Sequence, residues 1–307
     1  MAKTFPYAYI RKGICRTKQA TIPIQCKAVQ YGIGYFTGIR GYYNKDTKQL
    51  NLFRLKDHHR RLRESAKITQ MKFNMSYVAF EKTLKRLIKK NKVREDIYLR
   101  ITLYALTTDL TPRFDKASED LAIYMISLKD YFKSDKGLNI CISSWRRYDD
   151  DMMSVKAKVT GTYANSAYLK TEAVQNGFDE GLFLNRDGKV CEASGANIFG
   201  IKGDKVFTPP LSANVLNGIT RASVIEIIEK ETDLTLIEEE IDRSTLYTFD
   251  ELFFTGTAAK ITPIRSVDRR IIGTGRHGKH TKKIQEIFDQ ITLGKIEKYN
   301  DWLTPAT

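Results

Sequence analysis

Apolar and polar residues alternate with two periods along the first part of the chain, which predicts strands interspersed with helices. In the stretch IYLRITLY every second residue is apolar, as in a strand with one buried face, and the opposite face carries Tyr98 and Arg100. Such a face lies at a solvent edge or lines a polar site. Apolar residues at helical spacing predict one helix from Asp57, its expected cap, to Met71, and a second helix that begins at Ser76.

The charged stretch KDYFKSDK, which is poor in apolar residues, divides the chain. We expect a small N-terminal domain over residues 1–128, an interdomain loop over 129–137 and a large C-terminal domain over 138–307. The elements predicted beyond the loop are a strand over 138–142, helices over 165–176 and 220–230, and a hairpin of 181–184 with 189–192. Many short strands with a few helices predict an α+β fold.

The composition is that of a globular protein, with 307 residues of which 42% are hydrophobic. No apolar run approaches the roughly 18 residues of a membrane span. The N-terminal segment lacks the apolar stretch of a secretory signal, so we expect a cytoplasmic protein. The four cysteines show no CxxC spacing, which favours reduced core thiols over a zinc ribbon or a disulfide framework.

The net charge of +15 could indicate a nucleic-acid-binding protein, because affinity for nucleic acid comes from neutralised phosphates. The basic residues, however, alternate with apolar ones along helices such as LKRLIKK, as on a solvated face. Charge alone argues about solubility and association. We therefore expect small-molecule substrates and neither nucleic acid nor a membrane as partner.

Four motif-based classes of function lose their support on inspection. Gly273 to Gly278 fits the dinucleotide pattern GxGxxG, but only 29 residues follow, and the pattern requires a βαβ unit with an acidic residue beyond it. The related P-loop fails because His280 stands where Ser or Thr binds Mg²⁺. The chain has only four histidines, no HExxH and no GxSxG, so we expect no metal and no serine hydrolase.

Three remaining features suit pyridoxal phosphate chemistry. Glu192 offers a carboxylate for a pyridine nitrogen, and the turn Gly218 to Thr220 opens a helix whose N-terminus attracts a phosphate. Lys158 is followed by small residues that would leave its amine partly desolvated, which lowers an amine pKa and favours Schiff-base formation. Lys156 would share the face of Lys158 on an extended segment, so spacing alone leaves both lysines open.

These motifs resemble the branched-chain amino acid aminotransferases, which are class IV pyridoxal-phosphate enzymes. The resemblance runs from YGIGYFTGIR to DWLTP and includes AKxxGxY and ExxGxNxF in order. It implies that Lys158 binds the cofactor covalently, that Tyr163 hydrogen-bonds its ring oxygen and that Glu192 contacts its pyridine nitrogen. The other implied cofactor contacts, mostly to the phosphate, are Arg61, Leu216, Gly218, Ile219, Thr220, Gly256 and Thr257.

The resemblance also implies a substrate pocket, a fold and an assembly. The implied pocket residues are Phe36, Gly38, Arg40, Tyr98, Arg100 and Tyr131, with the Thr257-Ala258 backbone for the α-carboxylate. Arg100 would neutralise the distal carboxylate of glutamate, and Tyr31 would reach the site of a neighbouring subunit in a homodimer or larger homo-oligomer. The implied fold is two-domain fold type IV, with a smaller N-terminal α/β domain and a larger C-terminal pseudo-barrel domain.

The chain departs from the family pattern at three places. Thr37 replaces a common acidic residue, Lys260 replaces a usual glutamate, and a proline before the lysine is absent. Thr37 and Lys260 bear on the range of substrates. The expected reaction is amino transfer between L-leucine, L-isoleucine or L-valine and 2-oxoglutarate. The alternatives are a D-amino acid or (R)-amine transaminase, an aminodeoxychorismate lyase, and a basic nucleic-acid-binding module.

Overall fold

The computed structural model describes residues 3–129, 131–132 and 136–307. Its α-helices are α1 (Lys27–Tyr31), α2 (Leu55–Thr69), α3 (Tyr77–Lys90), α4 (Tyr163–Gln175), α5 (Ile219–Glu231) and α6 (Lys279–Thr292). Its strands are β1 (Tyr7–Ile10), β2 (Gly13–Arg16), β3 (Gly34–Asn44), β4 (Gln49–Phe53), β5 (Ile97–Ala105), β6 (Glu119–Ser127), β7 (Leu138–Arg146), β8 (Glu180–Leu184), β9 (Val190–Ala193), β10 (Asn197–Lys202), β11 (Lys205–Thr208), β12 (Thr235–Glu238), β13 (Glu251–Gly256), β14 (Lys260–Val267), β15 (Arg270–Ile271) and β16 (Leu303–Pro305).

The chain forms two compact units, each with its own sheet and core. The first unit comprises the chain up to Lys129 together with Ala157–Gly161 and Gln290–Thr307. Its sheet has seven antiparallel strands in the order β16-β4-β3-β5-β6-β1-β2. The apolar residues of β5 and the apolar face of α3 are buried in one core, which explains both periodicities in the sequence.

The second unit comprises Asp130–Lys156 and Thr162–Asp289. Its nine-stranded sheet runs in the order β12-β11-β10-β13-β14-β7-β8-β9, with β15 paired to β14. The pairs β7–β8, β7–β14 and β11–β12 are parallel, and the others are antiparallel. The sheet is therefore mixed, and the strands β8, β9 and β10 are buried nearly throughout.

Two segments belong to the first unit although they lie within the predicted C-terminal domain. Phe36 N donates to Lys158 O at 2.9 Å and Thr160 N to Gly34 O at 2.8 Å, so the lysine segment pairs with β3. Near the C-terminus, β16 adds a strand beside β4. Of the predicted interdomain loop, residues 130 and 133–135 lie outside the described part of the chain, and the predicted domain limits stay a prediction.

Helix starts show where the sequence pattern was right and where it was wrong. The second helix, α3, begins where it was predicted, and its N-cap residue Ser76 accepts a hydrogen bond from Ala79 N at 3.3 Å. Asp57 does not cap α2, because that helix begins earlier, after Arg54 in a left-handed conformation. The Asp57 carboxylate lies in the first turn and pairs with Arg54 and Arg60, where it complements the helix dipole.

The other predicted elements are present, with small shifts at their ends. Strand β5 matches its prediction, the hairpin of β8 and β9 closes through Asp187-Gly188, and α4 begins two residues before its predicted start. All four cysteines are free, and three of them are buried. Within the described residues, the helices are too short or too polar to span a bilayer.

Candidate active site

The lysine segment pairs with β3 through a bridge between Val159 and Tyr35, and the surroundings of its residues distinguish the two candidate lysines. Lys158 is half-buried between the buried residues Ala157 and Val159, and its Nζ lies 5.2 Å from the centroid of the Phe36 ring. Its backbone N donates to Ser65 Oγ at 3.3 Å. Lys156 is exposed. Only Lys158 therefore has the partly desolvated amine that Schiff-base chemistry requires.

Helix α2 places a stripe of polar residues inside the first unit. His58, Arg61 and Ser65 follow one another at helical spacing, and all three are buried. Thr37 of β3 faces them, with its Oγ1 2.7 Å from His58 Nδ1 and 3.0 Å from Arg61 Nη2. Burial, reinforced by the positive charges of Arg61, Lys158 and Arg54, lowers the pKa of His58 well below its usual value. The imidazole is therefore neutral.

The predicted substrate residues of β3 and β5 share one face of the sheet. Antiparallel pairing sets Gly38 opposite Arg100 and Arg40 opposite Tyr98, and Phe36 lies two residues before Gly38 on the same face. The Tyr98 ring packs over Gly38, where the hydroxyl occupies the space that a Cβ would need. The sequence-based grouping of these five residues on one face is therefore seen in the structure.

The two arginines of this face differ in their surroundings. Arg40 is fully buried and donates from Nη2 to the backbone carbonyls of Leu128 and Lys129. The Arg100 guanidinium lies 4.2 Å from the centroid of the Phe36 ring and 5.4 Å from that of Tyr98, and its Nε has no hydrogen-bond partner among the described residues. Arg100 is thus the better placed to receive an anionic group from a ligand.

Two predicted substrate residues lie at exposed positions. Tyr31 ends α1 and donates from its hydroxyl to Leu110 O at 2.8 Å. Tyr131 belongs to the second unit, is 52% exposed and packs its ring edge-on against Phe132. Neither environment by itself indicates contact with a substrate.

In the second unit, Glu192 of β9 is a buried carboxylate whose two oxygens both meet donors. Arg147 Nη2 lies 2.8 Å from Oε1, and Oε2 accepts from Asn197 Nδ2 at 3.2 Å and from Leu216 N at 3.1 Å. Burial alone would lower the pKa of Arg147, but the Glu192 charge raises it above its usual value. The further hydrogen bonds to Oε2 offset part of the free-energy cost of burying this ion pair. Glu192 therefore lies in the interior of the second unit and not on its surface.

Asn197 links this carboxylate to the start of α5. Besides donating to Glu192, its amide donates to Leu216 O at 3.0 Å, and its Oδ1 occupies the space that a Cβ on Gly218 would need. Gly218 is the N-cap of α5 and makes no side-chain cap. Ile219 and Thr220, buried in the first turn, complete a helix N-terminus that can receive a phosphate through its N–H groups.

The small-residue turn after β13 lies beside the same asparagine. Thr255 pairs with Asn197 across β13 and β10, and a Cβ on Gly256 would come within 3.2 Å of Gly195 O. Thr255 Oγ1 is buried without a hydrogen-bond partner among the described residues. Thr257 and Ala258, both half-buried, follow in the turn. The backbone here is close-packed.

Tyr163 is the first residue of α4 and is half-buried, with Thr162 as the N-cap residue. It stands in the second unit, immediately after the lysine segment that belongs to the first. In the described part of the chain, no group of three or more His, Cys, Asp or Glu residues could hold a metal ion.

Comparison with known proteins shows the family to which the chain belongs. Residues 34–267 match the model of the family described as Amino-transferase class IV. The chain belongs to the class IV aminotransferases. A relative from Aquifex aeolicus, named probable branched-chain-amino-acid aminotransferase, is 40% identical over 308 residues, which cover 100% of this chain and 99% of the relative. The aminotransferase is thus a member of the branched-chain-amino-acid aminotransferase family.

Solved structures agree with this assignment. The branched-chain aminotransferase of Thermoproteus uzoniensis with norvaline has a TM-score of 0.94 at 37% identity and covers 99% of this chain and 100% of its own. The branched-chain amino acid aminotransferase of Thermobaculum terrenum, in its PLP-bound holo form, has a TM-score of 0.93 at 30% identity and covers 99% of both chains. These neighbours confirm the α+β class, fold type IV and dependence on pyridoxal phosphate.

The described residues fit this cofactor. The buried Glu192 carboxylate suits a protonated pyridine nitrogen, the uncapped start of α5 suits a phosphate, and Lys158 offers a partly desolvated amine. Sequence reasoning missed Arg147 and Asn197, which hold Glu192 in place. The asparagine of ExxGxNxF was a visible signal for the second of these, whereas nothing in the sequence singled out Arg147 among 51 basic residues.

Proposed function

We propose that the enzyme transfers the amino group between L-leucine, L-isoleucine or L-valine and 2-oxoglutarate. The observation that carries this proposal is the shared face of β3 and β5. There the aromatic rings of Phe36 and Tyr98 flank the Arg100 guanidinium. Aromatic surface suits an aliphatic side chain, and a guanidinium suits a carboxylate. One pocket could therefore take both a branched-chain substrate and glutamate.

We further propose the cofactor roles of the individual residues. Lys158 would bind the cofactor covalently, Glu192 would contact the pyridine nitrogen, and Tyr163 would hydrogen-bond the ring oxygen. The phosphate would be held by Arg61, by the residues around the start of α5 and by the turn after β13. The residues around the start of α5 are Leu216, Gly218, Ile219 and Thr220, and those of the turn are Gly256 and Thr257. When bound, pyridoxal 5′-phosphate supplies an electron sink for the bond that breaks at the substrate Cα.

In this scheme the chain's own residues perform the proton transfers. The Lys158 amine, once displaced by the substrate amine, removes the proton from Cα as a general base and delivers it to C4′ as a general acid. Glu192 is kept ionised by Arg147, Asn197 and Leu216 N, so a negative charge is already in place when the pyridine nitrogen must hold its proton. The Thr257-Ala258 backbone would orient the α-carboxylate of either substrate.

Replacing Arg100 with alanine tests the substrate proposal. A lost charged hydrogen bond is worth about 1.5–3 kcal/mol, so kcat/KM for the glutamate half-reaction should fall roughly ten- to a hundredfold. The leucine half-reaction should change much less, because leucine has no distal carboxylate. Single-turnover measurements with each amino acid separate the two half-reactions.

Arg100→Lys is the matched control, since it keeps the charge and should recover part of the glutamate reaction. Equal losses in both half-reactions would instead show that Arg100 holds the common α-carboxylate or only supports β5. Such a result would contradict the substrate proposal and leave the cofactor roles untouched.

We also propose that the enzyme is a cytoplasmic homodimer or a larger homo-oligomer. Ile24 and Val29 are 78% and 54% exposed and lie near the exposed Tyr31 in the chain, and a group of exposed apolar residues is typical of a contact with another protein. The free thiols are compatible with a reducing compartment. Sedimentation equilibrium should give at least twice the monomer mass of 35.3 kDa. A Val29→Glu variant should shift the protein toward monomers, and an unchanged mass would contradict this contact.

A further inference from the structure

Thr37, His58 and Arg61 form a hydrogen-bonded chain in the core of the first unit. Thr37 lies on β3, whereas His58 and Arg61 lie one turn apart on α2. Their side chains are 0%, 1% and 9% exposed. Thr37 Oγ1 bridges the other two, at 2.7 Å from His58 Nδ1 and 3.0 Å from Arg61 Nη2. Polar groups buried to this degree are normally hydrogen-bonded, so each of the three side chains requires a donor or an acceptor opposite it.

The direction of each hydrogen bond follows from the chemistry of the groups. A guanidinium can only donate, so the Thr37 oxygen accepts from Arg61. Among the described residues, His58 Nδ1 is the acceptor that faces the single hydroxyl hydrogen of Thr37, so the tautomer that satisfies both groups has Nδ1 unprotonated. His58 is neutral in this environment, so it can accept that hydrogen. The histidine thus fixes the rotation of the hydroxyl, and the hydroxyl fixes one Nη of Arg61.

We propose that Thr37 and His58 are positioning residues that orient Arg61 toward the cofactor phosphate. This inference rests on the proposed phosphate contact of Arg61. A neutral hydroxyl holds the guanidinium without neutralising it, so the guanidinium keeps its full positive charge toward an anion. Thr37 replaces an acidic residue that is common in the family, and the replacement therefore leaves a neutral group instead of a negative one beside Arg61.

The experiment compares two ligands that differ only in the phosphate. The full-length chain is freed of cofactor and titrated with pyridoxal 5′-phosphate and with pyridoxal, and binding is followed by intrinsic fluorescence and by calorimetry. Thr37→Val keeps the shape of the side chain and removes the hydroxyl. It should raise the Kd for pyridoxal 5′-phosphate roughly ten- to a hundredfold, because the loss of one hydrogen bond to a charged group has an effect of about this size. The Kd for pyridoxal should change less than about twofold.

Variants at His58 provide the matched comparison. His58→Asn offers an amide oxygen near the position of Nδ1 and should retain tight binding of the phosphorylated ligand. His58→Gln reaches toward the position of Nε2, and His58→Leu offers no acceptor, so both should reduce the preference for the phosphorylated ligand roughly as much as Thr37→Val does. Because His58→Asn and His58→Gln are expected to give different affinities, the test stays decisive even if Thr37→Val and His58→Leu fail to fold.

The outcomes separate this inference from the proposed cofactor roles. Arg61→Ala should abolish most of the preference for pyridoxal 5′-phosphate over pyridoxal. If it does so while Thr37→Val and all His58 variants keep that preference, the positioning roles are wrong and the phosphate contact stands. Equal weakening of both ligands by Thr37→Val would indicate packing alone and also overturn the inference. If Arg61→Ala keeps the preference, the proposed phosphate contact itself fails.

Discussion

Replacing Lys158 with alanine is expected to abolish the absorbance of the Schiff base between the lysine and the cofactor, together with nearly all turnover. The variant lacks both the amine that binds the cofactor covalently and the group that moves the proton from Cα. General acid–base catalysis alone contributes roughly 10²–10⁴-fold, so kcat should fall by at least that factor. Absorbance spectra of the purified protein and initial rates with L-leucine and 2-oxoglutarate provide the measurement.

Lys156→Ala is the matched control because it removes a lysine two residues away. Lys156 is exposed, whereas Lys158 is half-buried beside Phe36. The control should therefore keep the spectrum and the rate of the parent enzyme. If Lys156→Ala lost the absorbance while Lys158→Ala kept it, the assignment of the reactive lysine would be wrong.

Replacing Glu192 with glutamine is expected to leave cofactor binding largely intact and to lower kcat. A neutral amide no longer favours a protonated pyridine nitrogen, and a charge placed in advance is worth roughly 10²–10³ in kcat. The effect should fall mainly on kcat, because the carboxylate matters most when negative charge develops in the transition state. Steady-state kinetics together with a cofactor titration measure the two effects separately.

The glutamine variant also disturbs the fold, and the structure supplies a control for that. Glu192 pairs with Arg147, and the amide NH₂ would face one of three donors. Glu180 is likewise buried and paired, at 3.1 Å from Lys170 Nζ, but lies on β8 outside the proposed site. Glu180→Gln should therefore lower the melting temperature and leave kcat near the parent value. An unchanged kcat in Glu192→Gln would remove the electronic role of that residue.

Residues whose role depends on a local period could be predicted from the sequence. The alternation along β5 placed Tyr98 and Arg100 on one face, and the helical spacing after Ser76 placed the core residues of α3. Both follow from a single element packing against a core. The resemblance to a family then supplied roles that no period can supply, because Lys158 and Lys156 are equivalent in a pattern of alternating faces.

Residues whose role depends on long-range pairing could not be predicted. Arg147 pairs with Glu192 because β7 and β9 both pair with β8. The pattern of apolar and polar residues within a strand does not predict which strands will pair. The burial of the polar stripe of α2 could not be predicted for a similar reason. His58 and Ser65 stand where an amphipathic helix presents its core face, and only the pairing of β3 with the lysine segment shows why polar groups are buried there.

The most direct test of the account is the choice of amino donor by the purified enzyme. L-leucine, L-isoleucine, L-valine, D-alanine and an (R)-amine are each supplied with 2-oxoglutarate, and the L-glutamate formed is measured. If the proposed function is right, glutamate forms rapidly from the three L-amino acids and only slowly from the others. A preference for D-alanine or the (R)-amine over L-leucine would contradict it.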